Sequence, residues 1–149
     1  MEGGNMNRKG VGAGSATYEG AMLHSVGGDK DFLIELIGLF LAAYPELLAQ
    51  LEKALVVQDV PEIVRVTRIF KGAGNNFAAQ DLRNAAAFLE EAAHRNNPAV
   101  TMEAFQELKE SLKRLTSALA LIDRRQRREA ALRWSLESIS QECARAHSA

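Results

Sequence analysis

Apolar residues in this chain recur three and four positions apart, stretch after stretch, and no stretch keeps the alternation that a strand needs. That spacing restricts the chain to helices that each bury one side. Leu33, Ile37, Phe40, Tyr44, Leu47, Leu51 and Leu55 form the first long stripe and predict a helix over about 30–56. Ile63, Val66, Phe70, Ala73 and Phe77 predict a second over 60–76, and Leu82, Ala86, Leu89 and Ala93 a third over 79–95. Phe105, Leu108, Leu112, Leu115, Leu119 and Ile122 predict a fourth. Short connections between four such helices define an all-α, antiparallel up-down bundle. A short helix over 18–26, stopped by Gly27-Gly28, precedes them. Asp29, Asp59 and Thr101 are placed to cap the long helices, and Pro45 predicts a kink or break inside the first of them.

Both ends extend past the bundle. Residues 1–16 are rich in glycine and small polar side chains, which predicts a flexible tail before a bundle over 17–123. Residues 124–149 predict a C-terminal amphipathic extension. It opens on Arg124-Arg125-Gln126-Arg127-Arg128 and continues with a stripe of Leu132, Leu136, Ile139 and Cys143, Trp134 lying to one side. This helix either folds back on the bundle or offers its apolar face to a partner, a second copy included. The arginine cluster reads as a solvated or salt-bridged face, so no nucleic-acid partner is expected.

Charge narrows the function classes. Eighteen basic residues against nineteen acidic ones give a net charge of −1, which excludes a surface built wholly for nucleic acid or membrane. The longest apolar run, 32–44, carries Glu35 and is shorter than the roughly 20 residues a bilayer requires. No secretory leader is visible, so the expected location is cytoplasmic.

Catalytic chemistry is absent from the pattern. His24, His94 and His147 stand at no metal-ligand spacing, and Cys143 with His147 makes at most two ligands where zinc takes four. Glu90 and Glu91 read as solvated carboxylates. No nucleophile stands beside a base, so the expectation is a non-enzyme with neither metal nor cofactor. One helix face is nevertheless unusual: Arg65, Arg68, Lys71, Gly72 and Asn75 make it basic and interrupt it with a glycine. A helix-interior glycine costs about 1 kcal/mol against alanine, so Gly72 and Gly74 point to a need other than packing.

The stretch Arg68-Ile69-Phe70-Lys71-Gly72-Ala73-Gly74-Asn75-Asn76-Phe77 resembles the signature of histidine-containing phosphotransfer (HPt) domains. In that family a histidine, two residues and then Lys-Gly lie on one helix of a four-helix bundle. Gly27-Gly28-Asp29 resembles the family's entry to its first long helix, Phe40 and Pro45 that helix's Phe and Pro, and Leu89-Glu90 the Leu-Glu of the helix after the signature. The likeness covers about 21–122. Two positions depart: Arg68 stands where the family carries its phosphorylated histidine, and Ala78 replaces a common glycine.

The resemblance implies a partner and removes an activity. Arginine stays protonated and offers no lone pair, so Arg68 cannot accept phosphate as the histidine does. Lys71 and Gly72, which in the family flank the phosphohistidine and leave room for a receiver domain, are kept. The implied protein binds a receiver domain or a sensor histidine kinase through Arg65, Arg68, Lys71, Gly72 and Asn75 without carrying phosphate, as inhibitor or adaptor in a phosphorelay. The alternative is a helical scaffold, like the family in fold alone, that works through Leu132, Trp134, Leu136 and Ile139.

Overall fold

The computed structural model describes residues 14–148. Five helices follow one another: α1 (Gly14–Ser25), α2 (Lys30–Val56), α3 (Val60–Asn76), α4 (Gln80–His94) and α5 (Pro98–Ser148). Helices α2 to α5 pack as an antiparallel bundle, with α1 against α2 and α3 at one end. The tail expected over 1–16 lies outside the described residues except for its last three, which open α1.

Local chemistry sets most of the ends. The Asp29 carboxylate accepts from the Phe32 backbone N–H at 3.0 Å, and Asp59 does the same for Glu62 at 3.3 Å. The cap of α5 is not Thr101. Asn97 takes that role, its Oδ1 accepting from Val100 N–H at 3.3 Å, and Thr101 is buried with its hydroxyl donating to the Asn97 carbonyl at 2.7 Å. Helix α2 runs unbroken through Pro45. A proline removes one backbone bond, but Leu51 and Ala54 beyond it are buried, and this packing holds the second half in line. Uninterrupted, α2 is also long and apolar enough to cross a membrane by length and composition, contrary to the expectation from its longest apolar run. In the bundle Leu33, Ile37 and Phe40 are buried instead.

The three turns of the bundle share one geometry. Gln58, Ala78 and Asn96 each follow a helix end with φ of 57°, 52° and 54°. At the first two, the next residue's N–H closes the turn: Asp59 to the Ala54 carbonyl at 2.9 Å, Ala79 to that of Gly74 at 2.8 Å. The left-handed conformation costs a residue with a Cβ roughly 1–2 kcal/mol. Ala78 has neither glycine's freedom nor a polar side chain to offset this. Ala78→Gly is therefore expected to raise the unfolding free energy by about 1 kcal/mol, read as a higher urea midpoint with unchanged slope.

At the centre, Phe40 of α2 meets Phe70 of α3 edge-on at 6.5 Å and Phe77 at 5.4 Å, and stacks on Tyr44 at 5.9 Å. Leu82, Leu89, Leu108, Leu112 and Leu119 close the core from α4 and α5.

Helix α5 continues without a hinge for 51 residues. Glu19 of α1 pairs with the Arg125 guanidinium, Asp123 pairs with Arg127 at 3.1 Å, and Gln126 is the last buried residue among those described. Leu132, Trp134, Leu136 and Ile139 are 58–70% exposed, so the extension does not fold back onto the bundle.

Candidate functional site

Helix α3 presents its apolar stripe to the core and a basic face to solvent. At 100° per residue, Arg65, Arg68, Gly72 and Asn75 share about 80° of arc, with Lys71 on the edge toward α4. The helix thus gathers the five sequence-predicted residues on one side, but it does not leave them equally free.

Arg65 is held. Its Nε and Nη2 bind both oxygens of Glu62 at 2.7 and 2.8 Å, and Nη2 also donates to Gln50 Oε1 of α2 at 2.9 Å. The paired hydrogen bonds keep the Glu62 carboxyl below the usual carboxylate range. Asn75 accepts from Arg83 Nη1 of α4 at 2.8 Å. Arg68 is the loosest of the set: a single contact from Nε to Glu90 Oε2 at 3.3 Å, with 67% of its side chain in solvent. Lys71 reaches the other oxygen of Glu90 at 2.9 Å.

Glu90 is the residue that sequence reasoning missed. It is not a solvated carboxylate; only 14% of its side chain is exposed, between two cations from α3. Glu91 does point to solvent and pairs with Arg95 at 2.8 Å. The Lys71 hydrogen bond, reinforced by the Lys71 and Arg68 charges, holds the Glu90 carboxyl below its ordinary value. A carboxyl depressed in the folded state stabilises above its unfolded value and loses that contribution as pH falls through the folded one. Glu90→Gln should therefore flatten the acid side of the stability profile. The difference in urea midpoint between wild type and variant is expected to shrink as pH is lowered from 7 to 3.

The two glycines have different causes. A Cβ on Gly74 would lie 3.0 Å from Arg83 Cβ, 3.0 Å from its backbone nitrogen and 3.1 Å from the Ala79 carbonyl. Gly74 is thus a packing residue that lets α3 and the start of α4 approach, contrary to the sequence expectation. A Cβ on Gly72 meets nothing within 4 Å. Among the described residues no internal contact explains that glycine, and it lies one turn from Arg68. Ile69, 39% exposed on the same helix, adds an apolar patch that the core stripe did not mark.

His94 lines a shallow depression with Lys71, Glu90 and Arg95 between α3 and α4, off the arc that carries Arg68 and Gly72. The His147 ring contacts the Cys143 carbonyl, not its thiol. Among the described residues no three His, Cys, Asp or Glu side chains come together as a metal site.

Helices α2 to α5 thus form an up-down bundle whose second long helix carries a basic face notched by Gly72. The family model for the Hpt domain matches residues 35–118, more than half of the chain, and the chain belongs to the Hpt domain family. No curated protein and no solved structure matches it.

Proposed function

We propose that this chain is an Hpt-fold regulator of a phosphorelay that docks a receiver domain, or the kinase component that handles one, without carrying phosphate. The observation behind this reading is Arg68, three residues before Lys71-Gly72, at the place of the family's phosphorylated histidine. A guanidinium there has no nucleophilic lone pair, yet it suits an acidic receiver site. Receiver sites hold carboxylates that bind Mg²⁺ around the phosphorylated aspartate, and Arg68 pairs with those carboxylates in the metal's stead.

The local geometry supports this use. Arg68 is mostly solvated and gives up only one 3.3 Å contact on leaving Glu90, which keeps its 2.9 Å bond to Lys71. No buried charge is then left unpaired, the main cost of moving an ion pair. Gly72 leaves the neighbouring surface flat for a partner's approach. Arg65, Arg68 and Lys71 outnumber Glu62 and Glu90, so the face keeps a net positive charge that speeds encounter with an acidic surface. The reading places the protein in the cytoplasm, where receivers act.

A competition assay tests it. A phosphorylated receiver is mixed with an Hpt domain that does carry histidine, and this chain is added. Slower transfer with no acid-labile label on this chain is the expected result. Label on this chain that disappears in His94→Ala would overturn the reading, because phosphate would then pass through the depression beside Lys71.

A further inference from the structure

We propose that the exposed stripe Leu132–Leu136–Ile139–Cys143 is the seam of an antiparallel pairing with a second copy of this chain. This inference is independent of receiver docking and uses a different helix.

Past Gln126, the last buried residue among those described, α5 runs on for some 20 residues, about 33 Å of helix with no cover from the described residues of the bundle. A lone helix of that length is marginal in water, so a continuous one with this much exposed apolar surface calls for packing. The bundle cannot supply it by simple continuation. At 100° per residue the extension's stripe lies about 110° around α5 from the bundle-facing stripe of Leu108, Leu112, Leu115, Leu119 and Ile122. It is instead in line with Leu121, which is exposed on the bundle itself.

The spacing of the stripe selects the occupant, and charge its direction. Residues 124–133 carry five arginines and one glutamate, whereas 134–148 carry Glu137, Glu142 and Arg145. A parallel pair would stack the two arginine-rich halves. An antiparallel pair keeps them apart, residues 127–133 running beside residues 142–148 of the other copy. The 4-3-4 spacing of the stripe then fits itself: Leu132 faces Cys143 of the second copy and Leu136 faces Ile139. A lipid surface is the poorer match. Residues 132–148 hold two arginines against two glutamates, and Arg125 and Arg127 are already paired with Glu19 and Asp123.

Sedimentation of the full chain between 1 and 100 µM reads the state. The expected mass is twice that of one chain, falling to one chain in Leu136→Glu. Cross-linking checks direction without relying on that variant's fold. In the antiparallel register the two Cys143 residues are about 16 Å apart, beyond disulfide reach, so oxidised wild type stays unlinked. Leu132→Cys is expected to link covalently to Cys143 of the second copy. A single-chain mass throughout the range would overturn the proposal, as would a wild-type Cys143–Cys143 link. So would a monomer that binds vesicles of anionic phospholipid but not neutral ones.

Discussion

Phe70→Ala is expected to lower the unfolding free energy by about 3–5 kcal/mol, the range for emptying a buried aromatic site. Phe70 is fully buried on α3 and meets Phe40 of α2 edge-on at 6.5 Å. Phe40 in turn contacts Phe77 at 5.4 Å, so one deletion loosens a cluster that joins two helices and the turn between α3 and α4. Aromatic pairs add roughly 0.5–1.5 kcal/mol beyond burial, which places this site toward the top of the range. Domains of this size are stable by about 5–15 kcal/mol, so a loss on that scale removes a large part of the total. Urea denaturation followed by far-ultraviolet dichroism measures it. A loss under 1 kcal/mol would mean that this cluster is not the packed centre of the bundle.

Arg68→Glu is the corresponding change on the surface, and its effect belongs to binding. The variant puts a carboxylate at the position proposed to face the acidic pocket of a receiver, next to Glu90, which only Lys71 would then neutralise. Affinity for the receiver is expected to fall at least 30-fold, about 2 kcal/mol. Stability should change little, because the Arg68 side chain is 67% exposed and exposed pairs contribute at most about 1 kcal/mol. Arg65→Glu is expected to cost less in affinity, since Arg65 is already committed to Glu62 and Gln50. Equal losses from the two variants would point to general charge attraction rather than to Arg68 at the centre of the contact.

Much of this fold was legible in the chain because its signals are local. The bounds of α2 and α3 follow from Asp29 and Asp59, whose carboxylates bond backbone three residues on, and from apolar stripes that any helix must bury. Less was legible where distant residues decide. Glu90 reads as surface on its own helix, and only the antiparallel packing of α3 brings Lys71 and Arg68 to it. Gly74 reads as functional beside Gly72 until Arg83 of α4 occupies the space its side chain would need. At the Arg124–Arg128 cluster sequence leaves a continuing or a hinged helix open; α5 continues, because arginine is a good helix former and Glu19 and Asp123 neutralise part of the charge. On the candidate face, sequence placed all five residues on one helix side. It did not rank them, because the ranking depends on partners from α2 and α4.

The central claim is that the face around Arg68 docks an acidic receiver site. Calorimetric titration of the full chain with receiver domains from the same organism, with and without Mg²⁺, tests it most directly, with Gly72→Gln run in parallel. The account predicts saturable binding that weakens when Mg²⁺ occupies the acidic pocket and weakens further when glutamine fills the space at position 72. Binding that ignores both Mg²⁺ and the substitution at Gly72, or no binding to any receiver, would contradict it.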